Sequence, residues 1–175
     1  MLGAARIRDL IPQQGAMCLL EAALRWDARG VLCRATSHLD LANPLRAAGR
    51  LGAVTGAEYG MQAAALHGAL TGYRRPGVIA ALRDLRCEVA RLDQAAFGTL
   101  TVRAWRLAAG EAGSVYGFAV RAASGRLLVA GQGTVMVPAP PSGVLAHPPW
   151  PALSRPPAQD PARSDGGGWP AQGRP

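Results

Sequence analysis

From Leu51 to Tyr73 the chain carries one formally charged residue, Glu58. Small and apolar residues, chiefly Ala, Gly, Leu and Met, supply most of the rest. The stretch reads as a helix over residues 51–71, with Gly72 and Pro76 just beyond it as stop signals. A surface helix shows charges on its outer face. This one does not, so it is expected to be covered on most sides. A membrane span is set aside, because Glu58, Gln62 and His67 would stand in hydrocarbon and the flanking segments read as soluble strands. Gly52, Gly56 and Gly60 recur at every fourth position, each at a cost of about 1 kcal/mol in helix propensity. That spacing suits close approach of a curled sheet or a partner helix. It is not a phosphate loop, since no Gly-Lys-Ser/Thr follows and no strand precedes it.

A single buried helix needs a sheet to cover it. Residues 17–26 and 31–36 read as strands, joined by Asp27-Ala28-Arg29-Gly30 as a hairpin connection. Residues 37–50 read as a loop. Four more strand-like stretches follow at about 78–91, 98–108, 114–123 and 126–137, with turns at 109–113 and 123–125. A short amphipathic turn over residues 6–11 is stopped by Pro12. The order predicts an antiparallel sheet packed on one long helix, an α+β domain over residues 1–137. From Pro138 onward the chain holds 11 of its 14 prolines and a triple glycine. Residues 138–175 therefore read as a disordered tail, with Trp150 and Trp169 as unremarkable members.

Composition narrows the function classes. The formal charge is +8, and all 19 basic residues are Arg. No basic run exceeds Arg74-Arg75, so a nucleic-acid partner is not expected, whereas an acidic partner or anionic ligand is. The three cysteines are odd in number and far apart, with no Cys-x-x-Cys. Neither a disulfide framework nor a zinc site is expected, Cys18 and Cys33 read as small core thiols, and a reducing, cytoplasmic setting fits. The N-terminus has no apolar core of the kind a signal peptide needs.

Two polar residues stand out. Glu58 shares a helix stripe with Val54, Met61, Ala65 and Ala69. A carboxylate there costs desolvation unless it has a partner or a job, and Gln62, one turn on, can donate a hydrogen bond to it. The competing reading is a Glu paired with one of the many arginines. His38, between the second strand and the helix, is placed to reach a cleft or else is a plain loop residue. His67 is expected to be structural.

The order strand, strand, His-bearing loop, helix with Glu-x-x-x-Gln, four strands resembles the hotdog-fold 3-hydroxyacyl-acyl-carrier-protein dehydratases. The segments IPQQGAMCLLE, SHLDLANPLRAAGRLGAVTGAEYGMQAAALHGAL and RPGVIAALRDLRCEVARLD are similar to the dehydratase-like proteins of aryl polyene gene clusters, over roughly residues 6–137. The resemblance implies an antiparallel sheet wrapped around one central helix, and elimination of water from a 3-hydroxyacyl thioester to give a trans-2-enoyl thioester. It implies His38 and Glu58 as the catalytic pair, His38 taking the C2 proton and Glu58 protonating the departing hydroxyl, with Gln62 in support. Backbone amides around Gly49 and Gly52 are expected to polarise the thioester carbonyl. Arg46, Arg50, Arg74 and Arg75 are candidates for contacting an acidic carrier protein and its phosphopantetheine. No metal or redox cofactor is implied. The expected partners are acyl carrier protein and a second subunit, either another copy or a paralogous hotdog dehydratase, with the two catalytic residues meeting across the interface. Two departures stand in the sequence. The usual His-x-Pro-Gly is absent after His38, and where the aryl polyene group opens with Ile-Pro-His this chain has Gln13.

Overall fold

The computed structural model describes residues 1–72 and 77–137. Arg74, Arg75 and the tail from Pro138, with its two tryptophans, lie outside the described residues. Seven strands form one antiparallel sheet: β1 (Leu2–Gly3), β2 (Ala22–Trp26), β3 (Gly30–Ala35), β4 (Val78–Cys87), β5 (Leu100–Gly110), β6 (Gly113–Arg121) and β7 (Leu127–Met136). Two α-helices join them, α1 (Ala4–Arg8) and α2 (Gly56–Leu70). The spatial order is β1-β2-β3-β5-β6-β7-β4. After α2 the chain therefore passes to the far edge for β4, comes back to lay β5 beside β3, and runs out to β4 again through two hairpins.

Hairpin chemistry sets most of this. Gly30 closes the β2–β3 turn, where the Asp27 carboxylate accepts the Arg29 and Gly30 amides at 2.7 and 3.0 Å. Gly110 pairs directly with Gly113, so β5 and β6 run to the ends of a two-residue turn and take up most of the expected loop. Two expected elements shift. The first long strand begins at Ala22 rather than residue 17, because Met17 and Leu19 spend their backbone groups on the Gln62 side chain. The helix begins at Gly56 rather than Leu51. Leu51 is held in extended pairing with Leu92, and a tight 3-10 turn over Ala53–Thr55 leads in.

The core lies between α2 and the concave face of the sheet. Tyr59, Leu66, Leu100, Phe118 and Leu128 are closed to solvent. The alternation along β5, with Leu100, Val102 and Ala104 inward, is the period-two pattern of a half-covered strand. The glycine row does part of what its spacing suggested. A side chain at Gly60 would collide with the Phe118 ring, and one at Gly56 would meet Val129 at 2.8 Å, whereas Gly52 stands clear of the sheet. Gly60→Val is therefore expected to force Phe118 off its packing. Thermal unfolding should show a loss of about 1–3 kcal/mol, the usual cost of overpacking a core.

Two surfaces remain open. Along α2 and the turn before it, the stripe of Val54, Glu58, Met61, Ala65 and Ala69 is only partly covered, with Met61 buried and Val54 61% exposed. At the sheet edge β4 leaves Val78, Ile79 and Leu82 about half exposed, with no strand on its outer side among the described residues.

Candidate functional site

Glu58 sits in the first turn of α2, facing the segment that precedes β2. Its Oε1 accepts two amide hydrogen bonds, from Gln13 Nε2 at 3.1 Å and from Gln62 Nε2 at 2.9 Å. Among the described residues Glu58 takes part in no ion pair, so the pairing with an arginine that composition suggested is not found there. No hydrogen bond from the described residues reaches Oε2. The two donors fix one oxygen and leave the other for whatever binds beside it.

Gln62 is fully buried, with both its amide oxygen and its amide nitrogen hydrogen-bonded. It accepts the Leu19 N–H at 2.9 Å and donates to Met17 O at 2.7 Å as well as to Glu58. The side chain thus acts as a peptide unit that pins the chain entering β2 onto the helix. Gln13 completes the arrangement from a loop that begins at Pro12. Sequence reasoning singled out Glu58 and Gln62 but assigned Gln13 no part. The signal was present in the Ile-Pro-Gln of the opening segment, and only the fold shows what it faces.

His38 is placed differently from expectation. It lies in a 3-10 turn over Ser37–Leu39, and its ring is closed to solvent within its own chain. It makes no hydrogen bond to Glu58. Neither ring nitrogen has a hydrogen-bond partner, and although the Gly98 backbone lies near enough to favour the protonated ring, it completes no bond with it. Burial is the larger effect and pushes the imidazole pKa below its ordinary value, with the Arg46 charge acting in the same direction. A group placed to reach an open cleft was expected, whereas within its own chain the structure shows an enclosed ring whose protonated form burial disfavours. The cause is local. The Ser37 hydroxyl bonds the Leu19 carbonyl at 2.8 Å and the Tyr59 hydroxyl at 2.9 Å, and Asn43 Nδ2 bonds Ser37 O and Tyr59, so the turn is drawn inward.

Arg46 is also committed inside the fold. Its guanidinium donates to Asp40 O, Gly49 O, His38 O and the Asp93 carboxylate, at 2.8 to 3.1 Å. It is a clamp on the loop, with its side chain 9% exposed. Arg50 is exposed and stays available. Three amides of the stretch expected to polarise the carbonyl are committed within the fold. The Arg50, Leu51 and Ala53 N–H groups are bonded to Ala47 O, Asp93 Oδ2 and Ala90 O, because this stretch pairs in extended form before the helix starts. Gly49 is exposed with φ +70°, and Gly52 bridges to Arg91. Neither lies at the helix end.

His67 is structural, as expected. It is buried, with Nδ1 2.9 Å from the Tyr116 hydroxyl and Nε2 2.9 Å from Asp27 O. Cys33 is a core thiol whose pKa burial pushes up to about 12, whereas Cys18 is half-buried and Cys87 exposed. Among the described residues no group of three or more His, Cys, Asp or Glu side chains could hold a metal ion, and no helix is long and apolar enough to cross a membrane.

The family model for ApeP-like proteins, described as ApeP dehydratase, matches residues 5–146. Among solved structures, the dehydratase heterocomplex ApeI:P from Xenorhabdus doucetiae superposes with a TM-score of 0.66 at 20% identity, covering 79% of this chain and 93% of the other. AziG of S. sahachiroi gives 0.53 at 21% identity, over 69% and 91% of the two chains. Thioesterase HI1161 from Haemophilus influenzae gives 0.58 at 14% identity, over 78% and 91%. These likenesses show the hotdog fold. No functionally curated protein sequence matches the chain.

Proposed function

The chain belongs to the ApeP-like dehydratase family, and from that premise we propose that it dehydrates 3-hydroxyacyl thioesters carried on the phosphopantetheine of an acyl carrier protein, in aryl polyene or related fatty-acid-type synthesis. The observation that carries the reading is Glu58, a helix-borne carboxyl group oriented by two amides and left with one oxygen free. In dehydration the C2–H bond breaks and its proton goes to a base. The C3–O bond breaks as the hydroxyl takes a proton and leaves as water. Glu58 Oε2 is the donor to that hydroxyl. A positioned acid or base of this kind contributes about 10²–10⁴-fold.

The base comes from a second subunit. Among the described residues no histidine is hydrogen-bonded to Glu58, and His38, the candidate base, is enclosed by its own loop. A second copy folded the same way encloses it too, which favours a paralogous hotdog chain over a homodimer. The open β4 edge and the half-covered α2 stripe offer such a subunit a continuous sheet and a helix face to cover. The heterocomplex of the similar ApeI:P structure supports the same arrangement.

The enclosed His38 also favours a second reading, a hotdog acyl-thioesterase in which a carboxylate works without histidine. One experiment separates them. The full-length chain, alone and mixed with a paralogous hotdog protein from its own gene neighbourhood, is incubated with a synthetic 3-hydroxyacyl carrier protein. Loss of one water from the intact acyl carrier, strongly increased by the partner, is expected. Release of free acid would establish the thioesterase reading. In the same assay His38→Ala should keep activity within about tenfold, below the loss usual for a missing acid or base. A folded but inactive His38→Ala would restore His38 as the base.

A further inference from the structure

Gln13 uses only half of its amide within the chain. Nε2 donates to Glu58 Oε1 at 3.1 Å, while the amide oxygen, Oε1, is closed to solvent and meets no donor. Rotating the amide by half a turn does not help, since it would set that oxygen against the Glu58 carboxylate, acceptor to acceptor. A buried carbonyl oxygen with no donor is costly, and native folds leave few of them. This one lies next to the carboxyl group that faces the site, where a bound molecule can bring the missing donor.

We propose that Gln13 reads the substrate's 3-hydroxyl group, its free amide oxygen accepting the hydroxyl hydrogen while its amide nitrogen holds Glu58. The inference rests on the dehydratase reading for the identity of the hydroxyl, and it adds the residue that selects for it. The two contacts are complementary. Gln13 Oε1 takes the hydroxyl's hydrogen and turns the oxygen lone pairs away from the amide, toward Glu58 Oε2, which then delivers its proton to the leaving oxygen. An amide neither gains nor loses a proton in the working range, so Gln13 moves no proton itself. It sets where the hydroxyl stands and excludes an acyl chain that lacks one, because such a chain leaves the Gln13 oxygen without a donor. A site built around a hydroxyl rejects the analogue without it more strongly than an apolar wall rejects an extra group.

The test uses two unreactive acyl-pantetheine analogues, each with a methylene in place of the thioester sulfur, one with a 3-hydroxyl and one without. Binding is measured by calorimetry on the full-length chain together with its paralogous hotdog partner. Wild type should prefer the hydroxylated analogue by about tenfold, the discrimination one hydrogen bond to a buried group gives. Gln13→Met, close in shape but without donor or acceptor, should bind the deoxy analogue within twofold of wild type and lose the preference. A variant that weakens both analogues equally would show a merely structural residue and overturn the proposal. The wild-type comparison needs no variant, so equal affinity there, or no binding of the hydroxylated analogue, overturns it as well. Preference without any dehydration of the carrier-bound substrate would sink the catalytic reading and leave the hydroxyl-reading role standing.

Discussion

Replacing Glu58 by Gln is expected to lower dehydration about 10²–10⁴-fold while leaving the melting temperature near that of wild type. The substitution is nearly isosteric and keeps an oxygen that the Gln13 and Gln62 amides can still bond at Oε1. What it removes is the proton that Oε2 would deliver. Glu58 also makes no ion pair with the described residues, so none of their cations is stranded by the change. The check is a rate measured on carrier-bound substrate beside a thermal melt of the same preparation. A variant retaining more than about a tenth of the wild-type rate would remove Glu58 from the chemistry, since even the weaker proton-transfer groups contribute more.

Asp93→Ala is expected to destabilise the fold by about 2–3 kcal/mol. The Asp93 side chain is 2% exposed and accepts from Arg46, from both Nε and Nη2 of Arg91, and from the Leu51 amide. Removing it leaves the Arg46 guanidinium, itself 9% exposed, without its counter-charge. The figure stands below the range for a fully enclosed pair because the Arg91 side chain is 41% exposed and water shares that half of the cluster. The same carboxylate gives a pH dependence. The Arg91 hydrogen bonds, ahead of the Leu51 amide, hold its pKa well below the ordinary carboxylate range. A depressed pKa means that the unfolded chain binds the proton more readily. The stabilisation is then fully present above about pH 4, the unfolded value, and declines as pH falls below it toward the folded value. Wild type minus Asp93→Ala, measured by denaturant titration, should therefore be flat from pH 7 to 5 and shrink below about 4. A difference that grew in acid would contradict the assignment.

The sheet was legible because hairpin strands carry their own punctuation. Asp27 and Gly30, Gly110 and Gly113, and Ser124-Gly125 mark turns that the period-two pattern then fills. The helix was legible from its lack of charge, but its start was not. Nothing local tells Leu51 that it will pair with Leu92, forty-one positions away, and that contact delays the helix to Gly56. Glu58 and Gln62 were readable from spacing on one helix. The direction of the His38 ring was not legible because a histidine at the end of a strand can turn either way, and the choice was made by Tyr59, Asn43 and Arg46, residues whose meeting requires the finished fold. Arg46 looked like surface charge for the same reason. Gln13 was noticed as a departure from Ile-Pro-His, but its task was not legible until the fold set a carboxylate opposite it.

Tyr59 follows Glu58 by one residue, so their side chains leave the helix about 100° apart. The Tyr59 hydroxyl is locked inside the protein to Ser37 and Asn43, while Glu58 looks out on the other side. Those inner bonds fix the rotation of the helix about its own axis, and with it the direction in which the carboxyl group points. The loop over residues 37–50 is thus the stop that sets a dial. An exchange of parts between related chains would have to move residues 37–62 as one block, since a foreign loop on the native helix would turn the dial to a setting its own carboxylate was not built for. The exposed tip at Glu111 and Ala112 answers to no such stop and can be traded alone.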